Sequence, residues 1–158
     1  MNKAGEHCLV RVDLDEGSLA PLSAEQDDER RVAIVDLLQS NLFHPEGALG
    51  GPYGLKLSMV ESRLAMDVDG PEFDRRFVLS MTQLRAVIKD YFMLCDSYYS
   101  AIHNAKTAGQ IEALDMGRRG VHNEGANLLR ERLRGKVELD EDTARRLFTL
   151  ICALRWRG

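Results

Sequence analysis

The chain opens on a two-residue rhythm. Over 8–15, reading CLVRVDLD, Val10, Val12 and Leu14 alternate with Arg11, Asp13 and Asp15, the pattern of a half-buried strand. After a connection at 17–22 the rhythm changes to threes and fours. Val32, Ile34, Val35, Leu38 and Leu42 recur at helical spacing behind Ser23-Ala-Glu-Gln26, a capping-box pattern with acids crowded into the first turn. A helix over about 24–42 follows. Pro45, Gly47, Gly50, Gly51, Pro52 and Gly54 make 44–54 a loop. Leu55, Leu57 and Met59 then share one face of a strand, and Leu64, Met66 and Val68 share one face of the next. Glu61-Ser62 lies between them, so the two runs predict a β-hairpin. Asp69-Gly70-Pro71 is a turn before a third strand at 73–79. From Ser80 or Thr82 to about His103, Leu84, Val87, Ile88, Tyr91, Leu94, Cys95, Tyr98 and Ile102 form a helical stripe, expected to be the central helix against the sheet. Thr107-Ala-Gly-Gln110 is a second capping box, and its helical pattern runs to about Arg134. Asp140 caps a last helix whose apolar positions are Ala144, Leu147, Phe148, Ile151, Cys152 and Leu154. The order is βα-βββ-ααα. Strands joined by short turns are antiparallel, so the expected fold is α+β, an antiparallel sheet of about four strands packed against about four helices.

Composition narrows the class. At 158 residues, with 44% hydrophobic and 29% charged residues, the expectation is one globular domain over 1–158, with 1–7 a flexible tail. No run approaches the roughly 18 apolar residues of a membrane span, and Met1 to His7 lack the apolar stretch of a secretory signal. Cys8, Cys95 and Cys152 are scattered in apolar contexts without a C-x-x-C, which fits inert thiols in a reducing cytoplasm. The net charge of −4 is uneven: residues 1–109 hold 11 basic and 17 acidic groups, residues 110–158 hold 10 and 8. An acidic protein is a poor general ligand for nucleic acid, although the last third retains an Arg-rich surface.

The candidate chemistry sits at 115–125, where DMGRRGVHNEG packs Asp115, Arg118, Arg119, His122, Asn123 and Glu124 among Gly117, Gly120 and Gly125. On a continuous helix Arg118 points into the apolar sector, with Asp115 and His122 at its edge. A buried guanidinium cannot shed its charge, so it needs a carboxylate, and Asp115 is nearest. Three glycines each cost roughly 1 kcal/mol in a helix interior, and they predict a break or strong bend within 116–123. Asn123 would then cap a new helix, and its first amides, with Gly125 and with Arg118 and Arg119 beside them, would form an anion site. The plainer reading is a structural ion-pair network.

Other signals are weaker. His122-x-Glu124 lacks the P-C-x-x-C of zinc deaminases. The four histidines show no H-x-x-H or H-E-x-x-H spacing, so no metal and no cofactor are expected. The glycines at 47–51 are not followed by G-K-[ST], and there is no G-x-S-x-G. The pairs Arg30-Arg31, Arg75-Arg76 and Arg145-Arg146 read as solvated faces, with Arg145 and Arg146 able to extend an anion-binding surface.

The segments LSMVESRL, IKDYFMLCDSYYSAI, GGPYGLKL and above all DMGRRGVHNEG and DTARRLFTLIC, at their order and spacing, resemble an uncharacterised bacterial family, number 0262 of the UPF series, over roughly 8–157. The resemblance implies a small cytosolic bacterial protein and brings no established activity, cofactor or catalytic residue. The leading reading of the residues is a non-enzymatic binding or regulatory protein. Its ligand would be an unknown protein or a phosphorylated small molecule, held by Arg118, Arg119, Asn123 and Gly125. One alternative is an enzyme acting on a phosphorylated small molecule, with His122 as general acid/base oriented by Glu124 or Asp115. The other is an RNA-binding module, against which the net charge and the 6% aromatic content weigh.

Overall fold

The long helices and strands fall where the residue patterns place them, with two short strands that no periodicity announced. The computed structural model describes residues 4–155. Its elements are β1 (Leu9–Leu14), α1 (Ala24–Gln39), β2 (Phe43–Pro45), β3 (Tyr53–Val60), β4 (Arg63–Gly70), β5 (Phe73–Ser80), α2 (Thr82–His103), α3 (Ala108–Arg132), β6 (Val137–Leu139) and α4 (Glu141–Ala153). The class is α+β. Both capping boxes form: Ser23 accepts from the amide of Gln26, and Thr107 from that of Gln110, each glutamine side chain returning to the cap. Asp140 caps α4 by accepting from the amide of Thr143 at 2.8 Å.

The main sheet has the order β1-β3-β4-β5. It is mixed, not wholly antiparallel. β3, β4 and β5 form the expected meander, but β1 lies parallel to β3, with Val12 opposite Leu55 and Leu14 opposite Leu57. The reason is the connection. A strand that returns through a helix enters its neighbour from the same end, and α1 is that crossover. Register puts Leu55, Leu57, Leu64, Met66, Phe77 and Leu79 on one buried face. The other face is laced by ions: Arg11 crosses over Gly54 to reach Asp69 at 2.6 Å, and Arg76 holds Asp67 at 2.7 Å. The hairpin tip places Glu61 and Ser62 at φ +50° and +66°, the left-handed pair a two-residue turn requires.

The expected loop at 44–54 begins instead inside a strand. Phe43–Pro45 pairs antiparallel with Val137–Leu139, making a separate two-stranded ribbon. Three residues are too few to show alternation. The expected tail at 1–7 is tied down where it is described: Gly5 donates to the carbonyl of Gly51, and His7 meets the Tyr53 hydroxyl at 2.7 Å and stacks on His44. Residues 1–3 of that tail lie outside the described residues.

Two helices exchange roles. α2, expected at the centre, buries only Leu84, Val87, Ile88 and Ala101, and packs chiefly along α3. α4 is the central helix, flanked by α1 and α3, with Leu147, Phe148, Leu150 and Ile151 fully buried. On α1 the inward stripe is Arg30, Ala33 and Leu37, while Val32 and Val35 face solvent. Arg30 is thus no solvated residue. It is 3% exposed and donates to the carbonyls of Ala153 and Leu154, closing the C-terminal end of α4.

Candidate functional site

α3 runs unbroken from Ala108 to Arg132. The expected break at 116–123 does not occur, and the amide nest built on it does not form. The helix survives its glycines because packing offsets their propensity cost. Gly125 lies under the ring of Phe148, where a Cβ would overlap the aromatic carbons. A Cβ at Gly117 would touch Leu94 only at an ordinary contact distance of 3.6 Å, and one at Gly120 would meet open space.

With the helix intact, Asp115, Arg118, Arg119 and His122 fall at i, i+3, i+4 and i+7 and share one face. Asp115 is bound on both sides, by Arg118 at 2.8 Å and Arg119 at 3.1 Å. Arg118 is the sunken member, its side chain 23% exposed, with its guanidinium carbon over the Tyr98 ring at 3.9 Å from the ring centre. Arg119 is 75% exposed and, among the described residues, held by this ion pair alone. Glu124 lies roughly 160° around the helix from His122, exposed and without a hydrogen bond among the described residues. It therefore cannot orient the imidazole.

α4 supplies the opposite wall through Arg145, Phe148 and Thr149, again at i, i+3 and i+4. Arg145 donates to Asn123 Oδ1 at 3.1 Å and pairs with Glu141 and Asp142. The imidazole of His122 stands edge-on to Phe148, 5.2 Å between ring centres, and tilted on Tyr91 of α2 at 5.3 Å. Its Nε2 meets Thr149 Oγ1 at 2.7 Å, and Thr149 in turn donates to the carbonyl of Arg145. Burial, reinforced by the positive charge of Arg145, holds His122 below the usual imidazole range. Burial likewise pushes the phenol of Tyr91 well above its ordinary value.

These groups enclose an open cleft of about 510 Å³ lined by Tyr91, Arg118, Arg119, His122, Asn123 and Arg145. No carboxylate lines it. Of the sequence candidates, Arg118, Arg119, His122 and Asn123 converge there. Asp115 anchors the two guanidiniums, whereas Glu124 and Gly125 lie elsewhere. Tyr91 and Thr149 were missed. Tyr91 reads as one more apolar position on its stripe, but the i, i+3, i+4 spacing of Arg145, Phe148 and Thr149 was a usable signal. Arg146 turns away to the carbonyl of Ser40. A larger concavity of about 850 Å³ lies between the β2–β6 ribbon and the end of α3, with Glu46, Glu131 and Glu138 beside Arg130, Arg134 and Lys136. Its mixed charges favour no single ligand sign. Among the described residues no cluster of His, Cys, Asp or Glu is placed to hold a metal ion, and no helix is long and apolar enough to cross a membrane.

Comparison with known proteins gives a family. The chain is 60% identical to a protein of Phenylobacterium zucineum over 153 residues, 97% of this chain and 96% of that one. It is 60% identical to one of Caulobacter vibrioides over 152 residues, covering 96% and 95%. It is 55% identical to one of Brucella canis over 153 residues, covering 95% and 94%. Each is named as a UPF0262 protein. No solved structure matches the chain. A family profile matches residues 6–157, and the chain belongs to the family it describes, the uncharacterised protein family UPF0262.

Proposed function

We propose that the protein is a non-enzymatic cytoplasmic binding or regulatory protein whose cleft between α3 and α4 recognises an oxyanion. The oxyanion would be carried by a phosphorylated small molecule or a partner protein. One observation carries this reading: three guanidiniums from two helices open on a cleft that no carboxylate lines. Arg118 is fixed by Asp115 and Tyr98, which preorganises its charge. Arg119 is mobile enough to close on a ligand, since its exposed pair with Asp115 is weak.

The test is calorimetric titration of the protein with inorganic phosphate at low ionic strength. Saturable binding is expected, weakened roughly fivefold or more by Arg119→Ala and further by added salt. Absence of saturable heat up to about 10 mM phosphate, a weak-affinity limit near −3 kcal/mol, refutes the reading.

A second reading is supported by the neutral imidazole on the same cleft. It makes the protein an enzyme acting on a phosphorylated small molecule, with His122 as general acid/base and Thr149 in the orienting role. Turnover of phosphate monoesters by the parent, lost in His122→Phe, would move the assignment to catalysis.

A further inference from the structure

We infer that the α3–α4 cleft selects an oxyanion that retains a proton, hydrogenphosphate, over one that has none, with Nδ1 of His122 as the acceptor of that proton. The inference rests on the anion-binding reading and goes further by naming the chemistry of the ligand. It begins with a count of hydrogens. A threonine hydroxyl has one, and Thr149 gives it to the carbonyl of Arg145 one turn back, at 3.0 Å. At its 2.7 Å contact with His122, Thr149 Oγ1 therefore accepts, and Nε2 carries the hydrogen. A neutral imidazole with its hydrogen on Nε2 has a lone pair on Nδ1.

The surroundings keep the ring neutral. Phe148 from α4 and Tyr91 from α2 desolvate it, and the charges that share its cleft are the guanidiniums of Arg118, Arg119 and Arg145. Asp115, the nearby acid on the same helix, is occupied by two of them. Nδ1 has no hydrogen-bond partner among the described residues, and it is not sealed from solvent. The cleft thus sets the guanidinium donors beside an acceptor, Nδ1, that has no donor of its own among the described residues. Sulfate, whose oxygens only accept, satisfies the guanidiniums but turns a lone pair toward Nδ1. Hydrogenphosphate has nearly the same size and at about pH 8 the same charge, but it brings one O–H. A site with a fixed acceptor rejects the ligand that lacks the matching donor.

The experiment titrates the full chain at about pH 8 and constant ionic strength with inorganic phosphate, sulfate and methyl phosphate, which at that pH has lost its ionisable protons. Phosphate is expected to bind roughly tenfold more tightly than sulfate, with methyl phosphate falling beside sulfate. In His122→Phe the phosphate affinity drops to that of sulfate, while sulfate is unchanged within about twofold. Sulfate or methyl phosphate binding as tightly as phosphate to the parent overturns this inference and leaves the anion reading intact. Binding of none of the three removes the anion reading itself. If His122→Phe does not fold, the parent still decides through its ¹⁵N spectrum. An Nε2-protonated ring supports the assignment, and an Nδ1-protonated ring overturns it.

Discussion

The glycines of α3 allow one helix to be tested in both directions. Alanine at Gly120 adds a methyl into open space. It should stabilise the fold by about 1 kcal/mol, the difference in helix propensity. Alanine at Gly125 gains the same propensity but drives its Cβ into three ring carbons of Phe148. That ring is wholly buried, with the rings of His122 and Tyr91 centred 5.2 and 6.3 Å away, so it cannot swing clear into solvent. Overpacking of this kind costs roughly 1–3 kcal/mol, and an overlap with the body of a ring belongs at the upper end. The net expectation for Gly125→Ala is a loss of about 2 kcal/mol. In a chain of this size that lowers Tm by roughly 4–8 °C, whereas Gly120→Ala raises it by roughly 2–4 °C. Urea and thermal unfolding followed by far-ultraviolet circular dichroism measure the free energies and the Tm shifts of both variants. On a Phe148→Leu background the smaller side chain makes room, and Gly125→Ala should become neutral or stabilising, a coupling the double-mutant cycle reads directly. A Gly125→Ala protein as stable as the parent would refute the packing of α4 against α3 described above.

Three further outcomes follow from other sites. Arg30→Ala should lose about 2–3 kcal/mol in the same unfolding assay, because the carbonyls of Ala153 and Leu154 lose a charged donor and a cavity opens; Arg30→Met, which keeps most of the volume, should lose about half as much. Arg118→Ala should cost about 2 kcal/mol, because the pair with Asp115 is mostly buried and the stacking on Tyr98 is lost, while Arg119→Ala should fall within about 0.5 kcal/mol of the parent; equal effects would contradict the geometry. His7 and His122 are both held below the ordinary imidazole value, by burial first and then by His44 and Arg145 respectively. The unfolded chain therefore takes up protons that the folded chain refuses, and the stability present above about pH 6.5 should decline as the pH falls toward about 5. His7→Gln with His122→Gln should flatten that slope, and an unchanged slope would assign it to other groups.

Much of the fold was legible because it is written in long periodic segments. The strand at 8–15, the hairpin about Glu61-Ser62 and the helices α2, α3 and α4 show their period over many residues, and α1 is marked by its capping box although its buried face is not the stripe of Val32 and Val35. What was not legible depends on residues far apart in sequence. Phe43–Pro45 and Val137–Leu139 are strands only because they find each other. The glycines of α3 looked like breaks because the packing that holds the helix, such as Phe148 over Gly125, comes from other helices. Arg30 looked solvated beside Arg31, although it stands three and seven positions before Ala33 and Leu37 on the face that proved buried. At the site, spacing alone placed Asp115, Arg118, Arg119 and His122 together. The second wall, with Thr149 setting the imidazole tautomer, belongs to tertiary packing.

The parallel pairing of β1 with β3 also sets an order of assembly. β3, β4 and β5 are joined by turns of two residues and can pair as soon as they exist, because closing such short loops costs little chain entropy. β1 leaves the ribosome before any of them, yet its partners run from Tyr53 to Leu57, beyond α1 and β2. Asn41, in the link between α1 and β2, can fasten the amide and the carbonyl of Leu9 with its side chain once α1 has been made, but the strand that pairs with β1 comes later still. The first strand synthesised is thus a late one to dock. Until it does, β3 presents an unpaired edge beside the apolar face of Leu55 and Leu57, and that interval is when the nascent chain is most open to pairing with a neighbour of its own kind.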